Sequence, residues 1–207
     1  GGKVARSAAL SQVVLTEEDR VAGAAAEVWL PKGLEDVNQQ PLDLRTTNSW
    51  TLKLDQVSTP EVVEVMLINA VAPFVLNSRL APLMKRQPTD GEGAMRHIIN
   101  VSAMEGKFYR HKTPCHPHTN MAKAALNMMT HTSAADLYAQ GICVNAVDTG
   151  WINDENPLHR AAAYAERSNF QTPLDEIDAA SRVLDPVLTP PPFPHGLFLK
   201  DYRPSEW

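Results

Sequence analysis

Two apolar runs on either side of a long helix-forming segment constrain the fold of this chain more than any other feature. HIINVS, residues 97–102, is short and rich in β-branched residues, which predicts a buried strand. ICVNAVD, residues 142–148, predicts a second buried strand. Between them lies NMAKAALNMMTHTSAADLYA, a run of strong helix formers that Gly141 ends. Strand, helix and strand in this order predict a parallel α/β sheet.

The alternation of helices and strands continues on the N-terminal side of this unit. Thr59, Pro60 and Glu61 supply an N-cap, a proline at the first helical position and an acid in the first turn. Apolar residues then follow at helical spacing, so we predict a helix that runs to Lys85 and is bent or broken near its two prolines.

On the C-terminal side, Thr172 and Pro173 begin a further helix, which continues through EIDAASRVLDPVL. A proline-rich turn then precedes GLFLKDY, which predicts a short strand. We therefore assign residues 58–207 to an α/β fold with a partial doubly wound parallel sheet.

Residues 1–57 give weaker patterns, and we interpret them as an irregular N-terminal region. Thr16 followed by Asp19 predicts a short helix that runs to about Val28. The first residue is Gly rather than Met, and GGKVARSAALSQ lacks the layout of a secretory signal. We therefore expect the chain to begin inside a longer product or after processing.

Composition excludes several classes of partner. The net charge is −5, and no basic block is interleaved with aromatic residues, so we expect no nucleic-acid partner. No apolar run in the sequence approaches the roughly 20 residues that span a bilayer, so we expect no membrane partner. Cys115 and Cys143 form no disulfide framework, which predicts a soluble protein of a reducing intracellular compartment.

Four segments of the α/β region match the functional segments of one known family in that family's order. They are INAVAPF (68–74), IINVSAMEG (98–106), NMAKAAL (120–126) and VNAVDTGW (144–151). Together they resemble the C-terminal part of the short-chain dehydrogenase/reductase family, and the resemblance covers roughly residues 58–200. It implies a Rossmann-like sheet, an oxidoreductase and NAD or NADP as the cofactor.

The resemblance also implies four catalytic groups. A tyrosine serves as general acid/base, a lysine lowers its pKa and holds the nicotinamide ribose, a serine polarises the substrate carbonyl, and an asparagine anchors a proton-relay water. By position, the asparagine is Asn69 and the lysine is Lys123. The tyrosine position, four residues before the lysine, holds Thr119. The serine position holds Ala103, with Ser102 one residue earlier.

An aliphatic hydroxyl is a far weaker acid than a phenol of pKa ~10, so Thr119 cannot simply replace the tyrosine. The resemblance implies cofactor contacts from Lys123, Gly150 and Ile152, although Thr149 replaces the proline before that glycine. The glycine-rich turn that would hold the pyrophosphate is missing from the sequence. We therefore expect a catalytically degenerate protein with a binding or assembly role, or the incomplete C-terminal part of a reductase.

One alternative remains open. The loop FYRHKTPCHPHTN lies where the family has its active-site mouth, so Tyr109, His116 or His118 could act as a reassigned proton donor. The protein would then be an NAD(P)-dependent oxidoreductase whose nucleotide-binding half lies outside this chain. The spacing of cysteine and histidine in this loop matches no closed metal site, so we predict no metal.

A partial sheet leaves an apolar edge that another polypeptide must cover. In the family, the helices that carry the residues equivalent to Asn69 and Lys123 pack against a partner subunit. We therefore expect a homo-oligomer or a subunit of a complex.

Overall fold

The computed structural model describes residues 28–29, 31–35, 42–87, 89, 91, 93–168 and 172–207. In this part of the chain the helices are α1 (Thr59–Met66), α2 (Ala72–Met84), α3 (Pro117–Ala139), α4 (Leu158–Ser168) and α5 (Glu176–Leu188). The strands are β1 (Arg96–Ser102), β2 (Ile142–Asp148), β3 (Phe198–Lys200) and β4 (Arg203–Ser205). The helix predicted from Thr16 lies outside the described residues, apart from its end at Val28.

The four strands form one sheet in the order β1-β2-β3-β4. β1 and β2 are parallel, and their register runs from Arg96 opposite Ile142 to Ser102 opposite Asp148. β3 is parallel to β2, and β4 turns back antiparallel to β3. The predicted α/β class and the predicted parallel sheet are therefore confirmed.

The core centres on β2, in which all seven residues are buried. Burial along the whole strand means that both of its faces are covered, and α3 and α5 both contact it. β1 is only partly buried, and Val101 near its end is exposed. Within the described residues β1 is the last strand on its side of the sheet, so its outer edge is unpaired.

A chain of buried polar side chains joins the helices to β1. The Asn77 amide on α2 donates a hydrogen bond of 3.0 Å to the Asn100 side-chain oxygen on β1. The Asn100 amide in turn donates to Thr130 Oγ1 on α3 at 2.9 Å. The Thr130 hydroxyl donates a hydrogen bond to the Leu126 carbonyl. Buried polar groups need partners, so this chain of contacts fixes how α2 and α3 sit on β1.

The starts of two helices differ from the prediction. Ser58, not Thr59, caps α1, because its hydroxyl accepts a hydrogen bond from the Glu61 backbone N–H. Asp175, rather than Thr172, caps α5 and accepts from the Asp178 backbone N–H at 2.9 Å. In both cases the capping side chain lies three residues before the N–H it binds, which is the spacing that satisfies a helix N-terminus.

α1 and α2 form one continuous helix, joined by a π-helical turn at Leu67–Val71. This turn directly precedes Pro73, whose ring cannot donate a backbone hydrogen bond, so the predicted bend takes the form of a wider turn rather than a break. The combined helix Thr59–Met84 is long and apolar enough to cross a membrane by length and composition alone. This corrects the expectation that no apolar run approaches membrane length. Core helices of soluble proteins can pass the same test, but they are mostly buried, whereas none of the 18-residue apolar window in this helix is buried among the described residues.

The chain crosses α3 closely just after β1, at Gly106. A Cβ atom at Gly106 would lie 2.6 Å from the backbone carbon of Lys123 and 2.6 Å from the Asn127 side-chain nitrogen. Only glycine therefore allows this crossing, because the nearest obstacle is helix backbone and cannot move aside.

We predict that Gly106→Ala lowers the free energy of unfolding by about 1–3 kcal/mol, the usual cost of overpacking a buried contact. Urea denaturation followed by circular dichroism measures the change. Gly91→Ala is the matched control, because a Cβ there meets no atom within 4 Å. Equal stability of the two variants would contradict the close crossing at Gly106.

Candidate functional site

The residues that resemble the family's active site meet at the C-terminal ends of β1 and β2. Lys123 Nζ donates to the Val101 carbonyl of β1 at 3.2 Å. Thr119 precedes Lys123 by four residues in α3, so the two share one helix face. Ala103 follows β1 directly. Open α/β sheets bind ligands at this end of their strands, which makes the surroundings of Lys123 the candidate site.

Burial lowers the pKa of the Lys123 amine, and the carboxylates of Glu105 and Asp148 oppose that shift. The second carboxylate, Asp148, is already engaged. One of its oxygens accepts the Gly150 backbone N–H at 2.8 Å, and the other pairs with Lys200 Nζ at 2.9 Å. Among the described residues Lys123 forms no salt bridge with either carboxylate, so Glu105 and Asp148 act on the lysine only at longer range.

Ser102 is buried and faces α3. Its hydroxyl donates to the Asn127 side-chain oxygen at 2.5 Å. The Asn127 amide then donates to the Gly106 carbonyl at 3.3 Å. The hydroxyl therefore joins β1 to α3 in the interior, while Ala103 places a methyl group at the serine position.

Asn69 lies in the π-helical turn between α1 and α2. Its amide nitrogen donates to the Val65 carbonyl of the same helix at 3.1 Å. π-helical turns occur frequently at functional sites, but here the Asn69 amide already donates to a carbonyl of its own helix.

Tyr109 contacts the C-terminal strand rather than Lys123. Its hydroxyl lies 3.2 Å from Lys107 Nζ and 3.2 Å from Ser205 Oγ. Because Ser205 belongs to β4, Tyr109 bridges the loop after β1 and the last strand. The hydrogen bonds that the structure gives this phenol do not involve Lys123.

The two candidate histidines both face the segment before α1. His116 stacks on Trp50 at 3.9 Å between ring centroids, and its Nδ1 lies 2.9 Å from the Trp50 carbonyl oxygen. His118 is fully buried, with its Nε2 at 2.8 Å from Ser49 Oγ and 3.4 Å from Glu61 Oε1. Neither imidazole forms a hydrogen bond with Lys123.

A carboxylate oxygen only accepts hydrogen bonds, so the proximity of Glu61 favours the tautomer in which His118 Nε2 carries the hydrogen. The other ring nitrogen, Nδ1, is then a buried acceptor that finds no partner among the described residues. Burial lowers the pKa of this imidazole, and the Glu61 carboxylate opposes the shift. At neutral pH the ring is therefore uncharged.

The segment before α1 also packs on the loop after β2, a contact that sequence analysis missed. Asn48 donates to an Asp43 carboxylate oxygen at 3.0 Å and to the Glu155 carbonyl at 2.8 Å. The Leu158 N–H at the start of α4 donates to the Asp43 carbonyl at 2.8 Å. The contacts of Asn48 with Glu155 and of Leu158 with Asp43 join residues more than 100 apart in sequence, and the only local signal was the density of Asn, Asp and Ser before α1.

A tight turn follows β2 at Gly150. This glycine has a φ of +85°, and a Cβ would lie 2.4 Å from Leu174 Cδ1. The half-buried Ile152 follows two residues later. The contacts of Lys123, Gly150 and Ile152 with the nicotinamide end of NAD or NADP stay a prediction from the resemblance.

In the part of the chain that the structure describes, the residues do not fit the rest of the cofactor. The first strand of the described sheet is β1, and the described glycines before it, Gly33, Gly91 and Gly93, lie in loops rather than in a strand-to-helix turn. A pyrophosphate needs such a turn at a helix N-terminus. Among the described residues, no group of three or more His, Cys, Asp or Glu side chains could hold a metal ion.

Residues 47–183 match a family profile described as enoyl-(acyl carrier protein) reductase. An uncharacterized protein, R665, of Acanthamoeba polyphaga mimivirus is 34% identical over 153 residues, which cover 70% of this chain and 31% of the viral protein. The short-chain dehydrogenase srdC of Neurospora crassa is 28% identical over 189 residues, covering 84% of this chain and 66% of the fungal protein.

Among solved structures, carbonyl reductase Sniffer of D. melanogaster has a TM-score of 0.61 and 22% identity, and the match covers 76% of this chain and 61% of that one. At this identity the likeness concerns the fold alone. The chain thus spans about a third of the viral relative and under two thirds of the fungal relative and of the insect reductase.

The lowered pKa of His118 generates a prediction for acid stability. Below the ordinary histidine pKa of about 6.5, the unfolded chain takes up a proton at this imidazole and the folded chain does not. Stability is therefore complete above about pH 6.5 and falls as the pH decreases below it. Burial also lowers the pKa of His97, which adds to the same trend.

We predict that His118→Gln reduces the slope of unfolding free energy against pH between about pH 5 and 6.5 without removing it. Urea titrations at several pH values measure the slope. The exposed His111→Gln is the control and should keep the wild-type slope. An unchanged slope in His118→Gln would show that this imidazole is not buried in its neutral form.

Proposed function

Because the chain belongs to the short-chain dehydrogenase/reductase family, we propose that it is a degenerate member of that family with a binding or assembly role. One observation carries the proposal: among the described residues, no phenol and no serine hydroxyl forms a hydrogen bond with Lys123, whose amine donates to the Val101 carbonyl. Thr119 occupies the tyrosine position, and the hydroxyl of Ser102 is bound to Asn127 in the interior.

Reduction of a carbonyl by this family needs a proton donor at the substrate oxygen and a second group that polarises it. A threonine hydroxyl does not ionise near neutral pH, and a lysine cannot lower its pKa into a useful range as it does for a phenol. The methyl of Ala103 offers no hydrogen bond at all. The scaffold is therefore kept while the proton chemistry is lost.

The competing proposal is an NAD(P)-dependent oxidoreductase that uses a reassigned proton donor. It requires Tyr109, His116 or His118 beside the reacting carbonyl. Their contacts with Ser205, Trp50 and Ser49 instead favour the proposal that the chain is a degenerate family member. The family's use of NAD or NADP extends to this chain only if another polypeptide supplies the pyrophosphate-binding turn.

The binding or assembly role is supported by apolar surface that the described residues leave uncovered. Large apolar side chains are exposed along the helix from α1 to α2: Leu67, Ile68, Val71, Phe74, Val75 and Leu76. The outer edge of β1 is unpaired within the described residues. Contiguous apolar surface of this kind marks an interface, and an unpaired strand edge accepts another strand.

We further propose a reducing intracellular compartment. Both cysteines of the chain are free: Cys143 is buried in β2, and Cys115 is partly exposed. Free thiols of this kind are retained where glutathione keeps them reduced.

For catalysis, we predict that the purified chain does not oxidise NADH or NADPH with a panel of aldehydes and ketones. We also expect no micromolar binding of either dinucleotide by isothermal titration calorimetry, because the pyrophosphate-binding turn is absent. The degenerate assignment would be overturned by turnover that is lost in Lys123→Ala but retained in Lys85→Ala, the exposed-lysine control. Dinucleotide binding without turnover would agree with the predicted loss of catalysis but contradict the predicted loss of cofactor affinity.

For assembly, we predict that sedimentation velocity at micromolar concentration detects a species larger than the monomer. Phe74→Lys should shift the distribution toward the monomer, because a charge on this apolar face opposes its burial. Leu54→Lys, at an exposed position in the loop before α1, is the control and should leave the distribution unchanged. A monodisperse wild-type monomer would contradict the assembly role.

A further inference from the structure

The strongest feature outside the candidate site is a buried lysine at the end of the loop after β1. Lys107 is 1% exposed. Its amine donates to Ser205 Oγ at 2.9 Å and to the Glu206 carbonyl, and it lies 3.6 Å from the centroid of the Phe198 ring. No carboxylate of the described residues forms an ion pair with it. A buried cation without a counter-charge attracts any negative charge that develops beside it.

The group beside that cation is a phenol that solvent can reach. The Tyr109 hydroxyl lies 3.2 Å from Lys107 Nζ and 3.2 Å from Ser205 Oγ, while the residue is 48% exposed. Hydrogen bonds from Ser205 and from Lys107 lower the pKa of this phenol, and the positive charges of Lys107 and Arg110 act in the same direction. All of these groups stabilise the phenolate over the phenol.

We propose that Tyr109 is an activated nucleophile and a covalent modification site that takes sulfonyl or phosphoryl groups. The phenolate oxygen attacks the sulfur of a sulfonyl halide, or the phosphorus of a phosphoryl halide or phosphoric anhydride, and forms the new S–O or P–O bond. The bond from that sulfur or phosphorus to the halide or phosphate leaving group breaks, and the leaving group departs with the electron pair. The phenol proton passes to water, directly or through the Ser205 hydroxyl. A phosphoryl product would place its negative charge against Lys107 and Arg110, where charge-assisted hydrogen bonds stabilise it.

The chain contains internal controls for this reactivity. It has 4 tyrosines. Tyr138 and Tyr202 are 40% and 49% exposed, close to the exposure of Tyr109. The Tyr138 ring stacks on His195, and the Arg182 guanidinium lies 5.1 Å from the centroid of the Tyr202 ring. Because exposure is matched, any difference in rate reports the activation of the phenol rather than its access to reagent.

The test uses the full chain and an aryl sulfonyl fluoride near neutral pH, with site-resolved mass spectrometry. In this reaction the S–F bond breaks and fluoride leaves. We expect Tyr109 to be labelled roughly fivefold or more faster than Tyr138 and Tyr202, because reactivity follows the fraction of the nucleophile that is ionised. The rate at Tyr109 should also level off at a lower pH than the rates at the other two tyrosines. Equal or slower labelling of Tyr109 would overturn the proposal, and this comparison needs no variant.

Two variants test the cause of the activation. Ser205→Ala removes one hydrogen bond from the phenol, and Lys107→Met removes the cation while keeping an unbranched apolar stem. Each should bring the labelling rate of Tyr109 toward that of Tyr138, whereas the surface control Ser181→Ala should not. Near-ultraviolet circular dichroism checks that the variants are folded, and Ser205→Ala carries the test if Lys107→Met is not. Full reactivity of Tyr109 in folded Ser205→Ala and Lys107→Met would reject activation by these groups.

Discussion

The close crossing of Gly106 over α3 determines where the chemically important side chains of this protein can be. Because glycine has no Cβ, the chain after β1 contacts the helix backbone at Lys123 directly. This contact places Ser102 on the inner side, against Asn127, and holds Lys123 at the end of β1. It also carries Lys107 across the helix to the last two strands. The absence of a Cβ at Gly106 thus lets the chain cross α3 between the candidate site around Lys123 and the cluster around Lys107.

If the chain is degenerate as proposed, the arrangement explains how the family scaffold can persist without the family's proton chemistry. Asn127 is satisfied by Ser102 and by the Gly106 carbonyl, and neither contact depends on a substrate. Lys123 likewise has a backbone carbonyl as its partner. Buried polar groups that are satisfied internally contribute to stability whether or not catalysis occurs. Selection for a stable fold can therefore retain these residues while the residues at positions 103 and 119 change.

Elements marked by local sequence patterns were predicted, whereas contacts between residues far apart in the sequence were not. β1, β2 and α3 were predicted because apolar runs and helix formers mark them directly. Motif order predicted that Lys123 lies at the end of β1, whereas the roles of the site residues stay predictions. α4 was missed because the sequence analysis assigned no element between Ile152 and Thr172. β4 was missed because it is three residues long and contains Pro204. The pairing of His118 with Ser49 joins residues 69 apart, and no spacing rule predicts such a contact.

The outer edge of β1, which the described residues leave unpaired, affects how the free energy of unfolding of this protein is defined. If a second polypeptide completes the sheet, folding and association become one equilibrium rather than two successive ones. The free energy of unfolding then has no single value, because it rises with the concentration of whatever covers the edge. Dilution alone would unfold such a chain, and mass action in the cell would decide how much of it is native. The amount of the partner, as much as the sequence of this chain, would set its half-life.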